Sequence, residues 1–365
     1  MSSENGAPLI DIEHLKVFFP IKQGYVVERE VARVHAVNDV TLSISEGETV
    51  GLVGESGCGK TTMSRAIMRL IDATDGQLRF RGDDITHAGR KALEPLRREM
   101  QMVFQDPFAS LNPRKRVVQI IGQPLQLHGT PRKKVEDRVR DLLKLVGLHP
   151  EHLNRYPHEF SGGQRQRIGV ARALALEPRL IVLDEPVSAL DVSVQAQIIN
   201  LLDDLQEEFK LTYLFVAHDL SVVRHVSDRI AVMYLGKLME LSPSEELYTK
   251  PIHPYTFALL SAIPIPDPQE NRDRERIVVS GEPPNPIDPP SGCVFHPRCP
   301  RATDICKEIE PPLTRYPSGH VAACHHPLNV SAEEIKGAVK DPASPLTAGD
   351  ELPSLSEASS AAPNA

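Results

Sequence analysis

No stretch of this 365-residue sequence approaches the ~18–20 uninterrupted apolar residues that a membrane-spanning helix needs. Its opening, Met1-Ser2-Ser3-Glu4-Asn5-Gly6, lacks the basic region and apolar core of a secretory signal. Both absences point to the cytoplasm, with any membrane role exercised through a partner. A surplus of positive charge is also missing. The formal net charge is −8 and the pI is near 6.0, which argues against a general binder of nucleic acid or anionic membrane. The local basic clusters Arg114-Lys115-Arg116 and Arg132-Lys133-Lys134 read as solvated surface. Cysteine is scarce, five in all, and a reducing compartment makes disulfides poor candidates. Four of the five nevertheless crowd into residues 293–324. No internal repeat is visible.

What is present describes a soluble globular chain of about two domains, with 41% hydrophobic and 25% charged residues. Residues 9–19 and 40–44 read as strands from their β-branched, partly alternating pattern. Residues 49–54 form a short apolar run that ends in glycine, and helix-compatible sequence follows from Lys60. Further buried strands are predicted at Leu180–Leu183 and Tyr213–Ala217. A helix after Asp191 would present Val194, Ile198, Leu201 and Leu205 as one stripe. Strands alternating with helices predict a mostly parallel α/β core, with a helical subdomain inserted at about residues 85–178. Beyond residue 250 prolines concentrate, as in 283–290 (PPNPIDPP), and a loop-rich appendage is expected at 251–333. Residues 334–365, rich in Ala, Ser, Pro and Glu, read as a disordered tail.

Gly54-Glu55-Ser56-Gly57-Cys58-Gly59-Lys60-Thr61 matches G-x-x-x-x-G-K-[ST] at every fixed position, between a predicted strand and a predicted helix. In such a loop glycines let backbone N–H groups turn toward phosphates, and the following helix N-terminus adds a favourable dipole. Lys60 would reach the β- and γ-phosphates, Thr61 would ligate Mg²⁺, and Thr62 follows in the same turn. Cys58 occupies a variable position and reads as a small filler. Asp184 ends a buried strand, where a carboxylate can hold the Mg²⁺ shell, and Glu185 beside it can orient or deprotonate a water.

Ser161-Gly162-Gly163-Gln164 resembles the signature motif of ABC ATPases, with Phe160 before it where leucine is more usual. The remaining elements of that family stand in the same order. Gln105 resembles the Q-loop glutamine of the metal and water shell. Ser188-Ala189-Leu190-Asp191 resembles the D-loop, and His218 the switch histidine that contacts the γ-phosphate. Phe19 is placed like the aromatic residue that stacks on adenine, with Tyr25 as the alternative, the segment 20–34 reading as an inserted hairpin. The resemblance implies an α/β fold: a P-loop ABC-type nucleotide-binding domain (8–250) with an antiparallel β subdomain and a helical subdomain, plus a small C-terminal cysteine-bearing appendage.

A finer resemblance covers nearly the whole chain. MVFQDPFASLNPR (102–114), YPHEFSGGQRQRIGVARALALEP (156–178), HDLSVVRHVSDRIAVMYLGKLME (218–240) and PIHPYTFALLSAIPIPDP (251–268) are similar to oligopeptide/dipeptide importer ATPases, and within them to the F-type ATPase subunit. That group implies ATP and Mg²⁺, a distinct D-type ATPase partner, two transmembrane permeases and an extracytoplasmic peptide-binding protein, on the cytoplasmic face of the membrane. Two rivals remain open at this point: an importer for another solute such as nickel, glutathione or a sugar, and a non-transport ABC ATPase acting on DNA or the ribosome.

Cys293, Cys299, Cys306 and Cys324 are separated by five, six and seventeen residues, without the C-x-x-C pairs of structural zinc ribbons. Four thiols in a proline-rich segment of weak apolar pattern point to a metal centre replacing a missing core. The resemblance to peptide-importer ATPases, some of which hold such a group, tips the expectation to a [4Fe–4S] cluster. Zn²⁺ is the alternative, with His296, His320, His325 and His326 as substitute ligands.

Overall fold

The apolar runs marked by the sequence gather into two sheets. The computed structural model describes residues 7–24, 29–106, 109–263, 279 and 281–340. From the N-terminus, β1 (Ile10–Gln23) and β2 (Arg29–Ile44) form a long antiparallel hairpin. β3 (Thr49–Val53) then enters the core and leads to helix α1 (Lys60–Ile67). β4 (Asp75–Phe80) and β5 (Asp83–Asp84) return to β1, giving a four-stranded sheet ordered β2-β1-β4-β5. This is the expected antiparallel part, and the hairpin is longer at both strands than the sequence indicated. Tyr25 lies outside the described residues.

After helix α2 (Arg90–Glu99), strand β6 (Met100–Val103) joins the main sheet beside β7 (Leu180–Asp184). The stretch expected to be a helical insert therefore contributes a core strand before its helices α3 (Val117–Leu127), α4 (Arg132–Leu145) and α5 (Gly162–Leu174). β7 is followed by α6 (Val192–Phe209), β8 (Thr212–Val216), α7 (Leu220–Val226), β9 (Arg229–Tyr234) and β10 (Lys237–Pro243). The run β9-β3-β8-β7-β6 is parallel throughout. Apart from half-buried Gln101 on β6, its strands are buried from end to end, which is why they read as apolar segments rather than alternating ones. On α6 the deepest residues are Ile198, Leu202 and Leu205. Leu202 takes the place expected for Leu201, because the stripe drifts with a 3.6-residue period.

The C-terminal region is bound into this architecture. Helices α8 (Ser244–Thr249) and α9 (Pro254–Ser261) follow β10. Three short strands, β11 (Thr314–Arg315), β12 (Val321–Ala322) and β13 (Val339–Lys340), then extend the main sheet at the β10 edge in the order β13-β11-β12-β10. The disorder expected from residue 334 is corrected for 334–340. Ser331 caps a helix over Ala332–Gly337 in a reciprocal pair with Glu334, and β13 pairs with β11. Residues 341–365 lie outside the described residues.

One buried charge pair ties these parts together. The Arg229 guanidinium bonds the Glu48 carboxylate and donates to the Ser43 carbonyl at 2.7 Å, with both side chains almost fully buried. No described helix is long and apolar enough to cross a membrane.

Candidate nucleotide site

β3 delivers the chain to residues 54–61 with five buried residues, and α1 begins at Lys60. The loop's geometry needs its glycines. Gly54 has φ 152° and Gly59 has φ 107°. A Cβ on Gly54 would meet the Met233 carbonyl oxygen at 2.2 Å, and one on Gly59 the Ala36 carbonyl oxygen at 2.1 Å. Backbone thus approaches backbone on both sides of the loop, which only glycine permits. The loop is further tied to β2 and the β9–β10 turn, since Gly236 N–H donates to the Cys58 carbonyl and Asn38 N–H to the Gly236 carbonyl, each at 2.8 Å. Cys58 is packed in the core and burial raises its thiol's pKa, in keeping with a filler.

Lys60 is buried, and its Nζ donates to the carbonyls of Gly54 (2.8 Å) and Glu55 (3.0 Å). Those bonds hold the ammonium over the mouth of the loop, where a phosphate would compete for it. Thr61 Oγ1 donates to Asp184 Oδ1 at 3.1 Å, and Thr62 shares its helical turn. Burial raises the Asp184 carboxyl's pKa, so this carboxylate would gain from a cation beside it. A hydroxyl and a carboxylate are the oxygen donors that Mg²⁺ prefers. Two protein donors with substrate phosphates and water completing the shell is its usual mode, not a closed protein cage.

β7, β8 and β6 end side by side, and their carboxyl ends carry the next three residues. Glu185 follows β7 at φ 47°, its N–H donating to the Val216 carbonyl of β8 at 3.0 Å. Gln105, two residues past β6, donates from Nε2 to Glu185 Oε2 at 2.7 Å. His218, two residues past β8, places Nδ1 3.4 Å from the same oxygen. Sequence-distant Gln105, Glu185 and His218 therefore converge on one carboxylate oxygen, next to the Thr61–Asp184 pair.

The remaining expected residues lie apart. Ser161 caps α5, accepting from Gln164 N–H at 3.3 Å while Gln164 Oε1 accepts from Ser161 N–H at 3.1 Å. Gly163 is buried against α6, where a Cβ would lie 2.4 Å from Val194 Cγ1, and Gly162 borders Leu190. The signature and the D-loop thus pack on each other, with Asp191 exposed at the start of α6. Among the described residues no hydrogen bond joins Ser161–Gln164 to the phosphate loop of the same chain. Phe19 is 39% exposed at the edge of the hairpin. Its neighbour Phe18, which the sequence did not single out, stacks on His35 at 4.4 Å, one residue from the Ala36 carbonyl that touches Gly59.

The C-terminal cysteines require a correction. Among the described residues no group of three or more His, Cys, Asp or Glu side chains is placed to hold a metal ion. The [4Fe–4S] cluster expected at Cys293, Cys299, Cys306 and Cys324 is overturned, and the zinc alternative with it. The premise of a missing core fails. Cys293 and Cys306 belong to the main apolar cluster with Val294 and Phe295, and Cys299 packs against it. Burial pushes the Cys293 thiol up to about 11 and the Cys324 thiol up to about 12, as befits small side chains packed among apolar groups. The histidine rings are engaged elsewhere: His296 with the Cys293 carbonyl, His325 with the Ile309 carbonyl, His326 with Thr303 Oγ1, and His320 with Glu240 and Ser242.

Comparison with known proteins agrees with this geometry. Residues 37–188 match the family model described as ABC transporter, and residues 239–306 match the one described as oligopeptide/dipeptide transporter, C-terminal region. The oligopeptide transport ATP-binding protein AppF of Bacillus subtilis is 55% identical over 89% of this chain and 99% of its own length. OppF of Salmonella typhimurium is 53% identical over 84% of this chain and 92% of its own length. The letter F is thus an importer-subunit letter, and the broader label F-type ATPase is set aside. A dimeric ATP-binding cassette in a post-hydrolysis state bound to ADP and Pi superposes with TM-score 0.57 at 29% identity, covering 64% of this chain and 98% of its own. By its two family matches and its relatives over nearly their full length, the chain belongs to the ABC transporter family, as an ATP-binding subunit of the oligopeptide-importer type.

Proposed function

We propose that this chain hydrolyses ATP to drive peptide uptake through a membrane importer. The observation that carries the reading is the convergence of Gln105 and His218 on Glu185 beside the Thr61–Asp184 pair. The triphosphate lies along the Gly54–Thr61 backbone, with Lys60 exchanging two carbonyls for β- and γ-phosphate oxygens. Phe19 covers the adenine. When bound at Thr61, Asp184 and Gln105, Mg²⁺ supplies charge neutralisation for the β- and γ-phosphates. Glu185 accepts a proton from the attacking water as its oxygen bonds the γ-phosphorus and the bond to the bridging oxygen breaks, leaving ADP and phosphate. Gln105 orients Glu185 and the water, and His218 donates toward the γ-phosphate.

A second ATPase completes the site. Ser161, Gly162, Gly163 and Gln164 present a helix start remote from the chain's own loop, and Asp191 stands at the same exposed edge. In a head-to-tail pair each signature faces the other subunit's nucleotide, a reading supported by the dimeric neighbour bound to ADP and Pi. We assign the partner as a distinct D-type ATPase. Two permeases and an extracytoplasmic peptide-binding protein complete the importer, with this chain peripheral on the cytoplasmic face. We divide the chain into a nucleotide-binding domain (8–250) and a C-terminal importer-type domain (251–333). ATP turnover measured for the isolated chain, the ATPase pair and the reconstituted importer tests this. Turnover should be poor alone, rise on pairing, and rise again with peptide-loaded binding protein. Full turnover by the isolated monomer at high dilution would refute the composite site.

A further inference from the structure

The phosphate-loop motif leaves its second residue free, yet Glu55 is among the most tightly held residues of the loop. Both of its carboxylate oxygens accept from Arg298 Nη1, at 3.1 and 2.9 Å. Its N–H donates to the Tyr255 hydroxyl at 3.0 Å, and its carbonyl accepts from Lys60 Nζ at 3.0 Å. Two of these three restraints come from the C-terminal region, 200 and 243 residues away.

The restraining groups are themselves rigid. Tyr234, Tyr255 and Phe295 are each at most 1% exposed, and their rings pack pairwise at 4.8 to 5.3 Å between centroids. Arg298 lies over the Tyr234 ring at 5.8 Å and donates to its hydroxyl at 3.3 Å. Its side chain is only 9% exposed, so the pair with Glu55 is weakly screened. A second contact reaches β2 beside the loop's other end. His35 N–H donates to the Pro286 carbonyl at 2.9 Å, one residue before the Ala36 carbonyl that abuts Gly59. The C-terminal region therefore holds the loop directly at Glu55 and braces the strand that abuts Gly59.

An unpaired carboxylate at this position would add negative charge beside a triphosphate and would be free to draw the loop out of register. We propose that Arg298 and Tyr255 are positioning residues for nucleotide binding, acting through Glu55. Arg298 neutralises and fixes the carboxylate, and Tyr255 fixes the N–H of the same residue. The oligopeptide-type C-terminal region thereby sets the affinity of the ATP loop. The proposal rests on the reading of Gly54–Thr61 as that loop.

The test measures ATP turnover in the assembled importer and binding of a slowly hydrolysed ATP analogue. Arg298→Gln should raise the KM for ATP about tenfold with kcat within about twofold, because a ground-state restraint is lost and the chemical groups are untouched. Tyr255→Phe should raise it about threefold, and Arg298→Lys, which keeps the charge, should recover most of the loss. Combined with Glu55→Gln, Arg298→Gln should cost no more than it does alone, since both act through one pair. Unchanged KM in Arg298→Gln and Tyr255→Phe, or simple additivity with Glu55→Gln, overturns the proposal. If Arg298→Gln fails to fold, Arg298→Lys and Tyr255→Phe decide by the same KM criterion. Lys60→Ala separates the two levels. If it leaves analogue binding intact, the loop reading itself fails. If it abolishes binding while the C-terminal variants leave KM unmoved, only the positioning role fails.

Discussion

Gly59→Ala is the substitution for which this structure makes the sharpest statement. Gly59 stands at φ 107° immediately before α1, in a conformation that L side chains rarely adopt. Residues forced into such regions carry about 1–3 kcal/mol of strain. The steric term adds to this. A Cβ would sit 2.1 Å from the Ala36 carbonyl oxygen, where real Cβ atoms essentially never come closer than 3.0 Å. Ala36 lies within β2 and its neighbour His35 is bonded to Pro286, so the strand cannot yield cheaply and the loop must move by about 1 Å. A displacement of that size at a reacting centre costs about 10²-fold in rate. Gly57→Ala provides the internal control. Gly57 also has positive φ, at 80°, but a Cβ there meets nothing within 4 Å. It should therefore show only the conformational cost, about tenfold in nucleotide affinity. Analogue binding and turnover, with thermal unfolding to confirm folding, give the comparison. Equal losses for the two variants, or affinity in Gly59→Ala within about threefold of wild type, would refute the close-approach argument.

Two further outcomes follow from individual groups. Glu185→Gln should leave ATP binding intact and lower single-turnover hydrolysis about 10²–10⁴-fold, because the acceptor of the water's proton is lost while the contact with Gln105 can persist; wild-type hydrolysis would remove Glu185 from the mechanism. Burial holds the His253 imidazole down at about 4, from 6.5. Below pH 6.5 the unfolded chain binds a proton that the folded chain refuses, so this contribution is full above pH 6.5 and is lost as pH falls toward 4. It amounts to about 3 kcal/mol. His253 Nδ1 accepts from Tyr255 N–H at 3.0 Å, and the His253 backbone N–H donates to Glu240 Oε2 at 2.9 Å; His253→Asn, which keeps a capping acceptor, should flatten the fall in urea midpoint between pH 7 and 4.5, and an unchanged fall would exclude this residue as its source.

The parts of the site that were legible in the sequence are those whose chemistry is local. The phosphate loop depends on a strand, a few glycines and a helix start within one short segment, so its residues declare their geometry. Asp184 and Glu185 were legible because a fully buried strand has to end in something, and a carboxylate pair there has few structural uses. Ser161–Gln164 was legible through its resemblance to the signature motif, and the structure adds the reciprocal cap between Ser161 and Gln164. The helical insert was partly misread because β6 is only four residues long and sits beside a helix, giving no period of its own. Leu201 and Leu202 are adjacent on α6, and only the packed sheet decides which faces inward.

The cysteines and Arg298 show why the C-terminal region resisted the same treatment. Its core residues are not periodic along the segment. Phe295 packs against Tyr234 of β9 and Tyr255 of α9, and Val294 joins the same cluster, so the apolar surface they bury belongs to distant parts of the chain. Viewed by itself the segment lacks a core, and four thiols invite a metal to supply one. Viewed on the sheet, Cys293 and Cys306 are two of the core's own small apolar side chains. The same long-range closure conceals Arg298. Nothing within FHPRC (295–299) specifies a partner, and Glu55 occupies a motif position open to any residue. Their pairing exists only because β9, β10 and α9 carry the C-terminal region back across the strand that bears the phosphate loop. Local chemistry can therefore be read from spacing, while the restraint placed on that chemistry by a remote segment is a property of topology.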